Sequence, residues 1–452
     1  MPIVGSFASL SKSGFNGGNS AGGVNPPPSP LTNYWFSVVD LKTNSTGTFG
    51  SIKQINSNVW MFGYGGGLSL LSYRPYAVTF SLSTGLVNYY KVFADIPALG
   101  AAYTKILDVE QDSSSNTYYL TDNAVRLFKY DSTDTFAIGN IYSGSTGTIG
   151  GPYNIVKDSL SYLYILSGGA TYYTITKIDP STLTSIWSYQ ITITNSSSKL
   201  YIDSLDNLYV TTWTSTGTVN TIVKFDTSGT ILWQKSTTAF SSSLLNRFDF
   251  DSTGNIYILG NGTPGILVKL NSSGTVQYSK SIPVISGGNY IGLTVNAYDN
   301  IVLQSLETAG VYIWTYTVTL TSAGVGSSAR QTGTYTGGAG DDFNTSDIIS
   351  DINLYMSGSM VGGRPPKIAL QLAPDDDVSV GGSFNFTITS DNGSTNSYSG
   401  TIRSTVKSVP SITSTTVTFS TTSYTTSAFS ITTTSDTPSL GSTVPYSYAI
   451  SI

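Results

Sequence analysis

The chain has 452 residues, of which 10% are charged and none is Cys or His, with 21 Lys and Arg against 26 Asp and Glu and a net charge of −5. Without His and Cys there is no Ser-His-Asp or Cys-His catalytic set, no imidazole or thiolate metal site and no disulfide. The acidic balance, with no run of Lys and Arg, argues against a nucleic-acid partner, and no apolar stretch approaches the roughly 18 residues of a membrane-spanning helix.

Residues 1–32 carry Gly17-Gly18, Gly22-Gly23 and Pro26-Pro-Pro-Ser-Pro30, a composition that builds no core. Two readings stay open for this arm: a tail without structure, or an anchoring segment that orders on other proteins of an assembly through Ile3, Val4, Phe7, Leu10 and Phe15. The start, Met1 to Leu10, lacks the basic and continuously apolar parts of a secretory signal. Tyr34-Trp-Phe-Ser-Val-Val-Asp-Leu41 then reads as a strand with no sheet of its own.

From there a repeat takes over. A short Asn- or Asp-centred turn leads into an apolar strand, and a second strand ends in a Lys-hydrophobic-Asp corner. The clearest copies are Asp203-Ser-Leu-Asp-Asn207-Leu-Tyr-Val210 with Ile222-Val-Lys-Phe-Asp226, and Asp251-Ser-Thr-Gly-Asn255-Ile-Tyr-Ile258 with Leu267-Val-Lys-Leu-Asn271. Turns at Asn58, Asn116, Tyr162, Asn207, Asn255, Asn300 and Asn353 are spaced 58, 46, 45, 48, 45 and 53 residues apart, the period of a four-stranded propeller blade. One small antiparallel sheet cannot bury both of its faces, so such units stack around an axis. The expectation is an all-β chain with a seven-bladed β-propeller over residues 33–374. The last copy lacks an outer strand, so Trp35 to Leu41 is expected to fill that place beside Leu370 and close the ring.

From Asp375 onward Ser and Thr dominate, with alternating runs at Ser383–Thr389, Thr415–Ser420 and Ala428–Thr432 broken by Asn392-Gly393, Pro410 and Pro438. Period-two alternation over several short strands predicts a small immunoglobulin-like β-sandwich over residues 375–452.

The Asp-rich turns suit either Asx turns or a hard cation, but they lack the later bidentate Glu of a calcium loop, so no metal and no cofactor is expected. Gly337 to Asp342 and Asp375-Asp-Asp377 are read in the same way, as a joint and a linker. A glycosidase needs two placed acids, and the glutamates, Glu110 and Glu307, stand in no motif. No catalytic residue is assigned. Aromatic rings stack on sugars, so Tyr64, Tyr73, Tyr76, Tyr172, Tyr173 and Trp213 are candidates for a glycan-binding rim; the competing reading is that such rings fill gaps between blades.

The unit Asp-x-x-Gly-Asn-hydrophobic-Tyr-hydrophobic, followed by Lys-Leu-Asn-x-x-Gly, resembles the bacterial SBBP-type β-propeller repeat, and Tyr335-Thr-Gly-Gly-Ala-Gly-Asp-Asp342 resembles its blade-joining signature. That resemblance implies a propeller and no catalytic residues. The whole arrangement is similar to virion proteins of tailed bacteriophages. It implies a non-enzymatic fibre, tail or capsid-surface component, a homo-oligomer or present in many copies in an assembly, held to other virion proteins by residues 1–32 and presenting the propeller to a host surface or glycan. A secreted surface adhesin and a polysaccharide-degrading tail protein are the alternatives.

Overall fold

The computed structural model describes residues 35–40, 48–55, 58–66, 73–80, 87–92, 106–122, 125–144, 152–168, 172–192, 197–213, 219–240, 247–260, 264–283, 290–309, 312–335, 343–350, 354–360, 367–372, 380–389, 395–421, 426–428, 430–435 and 446–451. The arm, most of the Tyr335–Asp342 joint and Asp375–Asp377 lie outside the described residues. All regular structure among the described residues is β.

After β1 (Trp35–Asp40), strands follow in sets of four. The first set is β2 (Thr48–Ile55), β3 (Asn58–Gly66), β4 (Tyr73–Phe80) and β5 (Val87–Val92). The second is β6 (Ile106–Gln111), β7 (Thr117–Thr121), β8 (Val125–Tyr130) and β9 (Phe136–Gly144). The third is β10 (Pro152–Lys157), β11 (Leu163–Gly168), β12 (Tyr173–Ile178) and β13 (Ser185–Ile191). The fourth is β14 (Ser197–Ile202), β15 (Leu208–Trp213), β16 (Asn220–Phe225) and β17 (Ile231–Thr237). The fifth is β18 (Phe248–Phe250), β19 (Ile256–Gly260), β20 (Gly265–Leu270) and β21 (Val276–Ile282). The sixth is β22 (Tyr290–Val295), β23 (Ile301–Ala309), β24 (Tyr312–Leu320) and β25 (Gly326–Tyr335). The seventh has β26 (Phe343–Ser350), β27 (Leu354–Met360) and β28 (Lys367–Leu372).

Each set is an antiparallel meander, and the described strands group into seven sheets. Inner strands meet in order, β2 with β6, β6 with β10, β10 with β14, β18 with β22 and β22 with β26, and β26 returns to β2. Rings from β14 and β18, Tyr201 and Phe248, are 4.7 Å apart between the fourth and fifth sheets. The fold is therefore a β-propeller. The expected closure is present: β1 lies antiparallel to β28, with Trp35 opposite Gln371 and Phe36 opposite Leu370.

The core lies in the seams between sheets, because alternate residues of each strand face opposite neighbours. Tyr118 and Leu120 of β7 pack on Ile155, Leu163 and Ile165 of the third sheet, while Tyr119 between them packs on Trp60 and Phe62 of the first. The next seams repeat this with Tyr164, Leu166 and Val210, then Tyr209, Ile222 and Ile256.

The immunoglobulin-like β-sandwich expected over residues 375–452 finds no support among the described residues. Its strands are distributed around the propeller as extra outer strands. β29 (Val380–Thr389) pairs with β30 (Thr395–Val406), which pairs with β25 of the sixth sheet. β31 (Thr413–Ser414) joins β21, β32 (Ser420–Thr421) joins β17, and β33 (Thr426–Ala428) joins β13. β34 (Ile431–Ser435) joins β9, and β35 (Tyr446–Ser451) joins β1 in the seventh sheet. The segment has strand-forming alternation but few large apolar residues for a core of its own. The propeller's outer strands present unpaired backbone N–H and C=O groups that it satisfies by strand addition.

Candidate functional site

The up-and-down path gives the propeller two different ends. One carries the turns between first and second strands and between third and fourth strands; the other carries the loops between second and third.

At the turn end, the first turns of the second to fifth sheets are each held by one acidic side chain, and that of the sixth by Asn296, whose Oδ1 accepts the Tyr298 and Asn300 N–H groups. Asp203 Oδ1 accepts the Leu205 and Asn207 N–H groups at 2.9 and 2.8 Å, and its Oδ2 accepts the Asn207 amide at 2.9 Å and the Tyr209 hydroxyl at 2.8 Å. Asp112, Asp158 and Asp251 do the same work with Tyr118, Tyr164 and Tyr257. The fourth residue of these turns has positive φ: Ser115, Ser161, Asp206, Gly254 and Asp299. This is Asx-turn geometry, with the carboxylate oxygens directed at local donors. Among the described residues, no three acidic side chains lie together as a metal-binding group would require.

In the second to fifth sheets a Lys from the third strand joins the turn to the next sheet. Lys224 Nζ lies 3.7 Å from Asp203 Oδ2, stands 5.0 Å from the Tyr209 ring centre, and donates to the Ser272 carbonyl of the fifth sheet at 3.2 Å. Lys129, Lys177 and Lys269 likewise reach Pro180, Thr227 and Ser322. Two turns also grip directly: Asp206 accepts the Ser159 N–H at 2.9 Å, and Asp299 the Ser252 N–H at 2.7 Å. Burial pushes the Asp251 carboxyl up, but hydrogen bonds from Asn255, Thr253 and Tyr257 outweigh it and leave it below the usual carboxylate range.

On the inner strands lies a charged cluster. Lys53 of β2 donates to Glu110 Oε1 at 2.6 Å and Asp108 Oδ1 at 3.1 Å, both on β6, and to the Ile155 carbonyl of β10 at 3.4 Å. Asp108 Oδ2 accepts the Ile155 N–H at 3.1 Å. The cluster thus ties three consecutive sheets. Burial lowers the Lys53 ammonium, but its two carboxylate partners outweigh this and hold its pKa above the ordinary value. Burial raises Glu110, with Lys53 opposing and Asp108 adding to the rise. Similar inner-edge ties recur: Asn154 holds Leu200 N–H at 2.9 Å and Leu200 C=O at 2.8 Å, and Asp249 accepts Val295 N–H at 2.8 Å. Inner strands have one unpaired edge at the axis, and these side chains satisfy it. Burial lowers the Arg247 guanidinium to about 10, against an opposing contribution from Tyr201.

The aromatic candidates all fall at the loop end. Tyr64 is near the end of β3, Tyr73 and Tyr76 are in the first half of β4, Tyr172 precedes β12, and Trp213 closes β15. Tyr172 is half-buried. Tyr173 is buried in the seam core, its ring 5.6 Å from that of Tyr153, so it fills a gap between sheets and leaves the proposed rim. The side chains of Tyr64, Tyr73, Tyr76 and Trp213 lie outside what the structure describes. Of the two glutamates, Glu110 belongs to the inner cluster, and Glu307 sits on β23 with its backbone opposite Trp314.

The Lys53 cluster is not singled out in the sequence, and the corner Lys is legible there only as part of the repeat, not as a bridge to the next sheet. The available signals were two acids in the otherwise apolar run Ile106-Leu-Asp-Val-Glu110, and a Lys at one fixed place in four successive repeats.

The chain matches no protein-family model and no curated protein sequence, so the SBBP-type label is not carried beyond the propeller itself. Its structure is similar to virginiamycin B lyase from Staphylococcus aureus, with TM-score 0.50 and 11% identity over 75% of this chain and 98% of that one. It is also similar to the Dos1 propeller, with TM-score 0.47 and 9% identity over 73% of this chain and 93% of that one. A third neighbour is the N-terminal part of BBS1 in complex with ARL6, with TM-score 0.44 and 6% identity over 74% and 95% of the two chains. At these identities the likeness gives the fold alone. The chain is an all-β propeller protein.

Proposed function

We propose that this chain is a non-enzymatic virion structural protein of a tailed bacteriophage, a fibre, tail or capsid-surface component present in many copies. In this reading the seven sheets are the seven blades of one ring, residues 1–32 bind other virion proteins, and the loop end meets a host surface or glycan. The observation that supports it is a division between the two ends. The chain enters β1 at Trp35, opposite Gln371 near the end of β28, which is the turn end; the positions of Tyr64, Tyr73, Tyr76, Tyr172 and Trp213 gather at the other. An anchor at one end leaves the other facing outward. A chain with zero His and zero Cys, whose turn-end acids are engaged in turns, also suits a structural role better than catalysis.

The test has two arms. Mass spectrometry of purified particles from the source should find the chain in stoichiometric amounts, and its absence from particles ends the virion reading. Host-envelope or glycan binding should fall at least about tenfold in a Tyr172→Ala, Trp213→Ala double variant of unchanged thermal stability, as expected when stacking rings are lost. Equal binding would end the rim assignment while leaving the structural role.

A further inference from the structure

We infer that the strap running from Lys407 through β31 to β34 holds the second to sixth sheets together, so that neighbours among them separate only after it has been released. The strap's contacts alternate between outer edges and seams. At the sixth sheet, Lys407 N–H donates to the Ala329 carbonyl at 2.8 Å, and the Tyr316 hydroxyl donates to the Ser408 carbonyl at 2.9 Å. Val409 rests where a Cβ on Gly326 would come within 2.2 Å of it, so that glycine makes room for the strap. Ile412 then packs on the core between the fifth and sixth sheets.

At the fifth sheet, Thr415 and Ser279 form two bonds, Thr415 N–H to the Ser279 carbonyl at 3.1 Å and Ser279 Oγ to the Thr415 carbonyl at 2.8 Å. Val417 is buried and Phe419 packs beside it in the seam between the fourth and fifth sheets, its ring 6.3 Å from that of Phe240. After the short pairings of β32 and β33, Ile431 packs on the core between the second and third sheets. Within the second to sixth sheets, two neighbours cannot part without pulling an anchor out of their seam or an extra strand off an edge. Contacts that must break before the barrier to unfolding is crossed slow unfolding more than they speed folding. With no cysteine in the chain, the strap takes the part that a covalent staple plays elsewhere. This inference does not depend on the proposed function.

The test compares unfolding and refolding rates of the full chain with those of Val417→Asp, which puts a charge into the seam. The expected result is unfolding accelerated about tenfold or more with refolding nearly unchanged. An unchanged unfolding rate, or a loss carried by refolding, overturns the inference. Hydrogen exchange on the unaltered chain gives an answer even if the variant does not fold. The paired amides of β17 and β21 are expected to exchange no faster than the Lys407 and Thr415 amides, because the sheets open only after the strap. Exchange of the β17 and β21 amides many-fold faster than those two would mean that the sheets part while the strap stays in place, and would also overturn it.

Discussion

Gly229 and Gly254 have φ of 85° and 78°, in the left-handed region where a side chain costs about 1–2 kcal/mol unless it is Asn or Asp. Their surroundings differ. A Cβ on Gly229 would come within 2.4 Å of the Tyr189 ring, whereas one on Gly254 would meet nothing within 4 Å. Gly254→Asn is therefore expected to change stability by less than about 0.5 kcal/mol, and Gly229→Asn to cost about 2 kcal/mol or more, both read from urea unfolding. Asp203→Ala removes the acceptor for two backbone N–H groups, an amide and the buried Tyr209 hydroxyl, and should cost about 3 kcal/mol. Lys53→Met leaves Asp108 and Glu110 buried without their cation, with an expected loss of about 3 kcal/mol by the same measurement. A value near zero for Lys53→Met would show that the three inner strands are held without the cluster.

β1 is an inner member of its sheet, with Ser37 opposite Ala369 of β28 on one side and Ala449 of β35 on the other. Proline removes a donor and suits only an edge, so Ser37→Pro should destabilise the chain by about 3 kcal/mol or more in a denaturant titration. The place of β1 beside β28 was legible because the last repeat visibly lacks a partner strand. The repeat itself was legible because Asp-x-x-Gly-Asn turns and alternating Val, Ile and Tyr encode local geometry. The destination of β29 to β35 was not. Alternation of Ser and Thr with small apolar residues marks a strand, but it carries no information about which edge will accept it. That choice depends on open edges far away in the chain, and only Val417, Phe419 and a few similar anchors distinguish a strap from a sandwich. The same limit applies to Tyr173, which shares its type and neighbourhood with Tyr172 but points into the seam.

Across the whole molecule, acid acts with two opposite signs. Asp226 and Asp251 sit below their ordinary value of 3.8: burial raises each, and hydrogen bonds from Ser228 and Thr230, and from Asn255 and Thr253, more than offset it. Their contribution is present above that value and is lost as pH falls through the lower folded one. Glu110 is raised by burial above its ordinary 4.5, so its contribution is present below that value and is lost as pH rises through the folded one. Thermal unfolding should therefore show a sharp decline below about pH 4 and a shallow slope toward neutral, the latter flattened in Glu110→Gln. The pairing of Trp35 with both Gln371 and Ser451 has a consequence during synthesis. A nascent chain emerging from the ribosome has made β1 long before β28 or β35 exists, so β1 must wait unpaired until both of those strands have been made. Maturation of this protein is thus expected to lag behind elongation, and a chaperone able to shield a lone extended segment near Val38 should raise the yield of folded product.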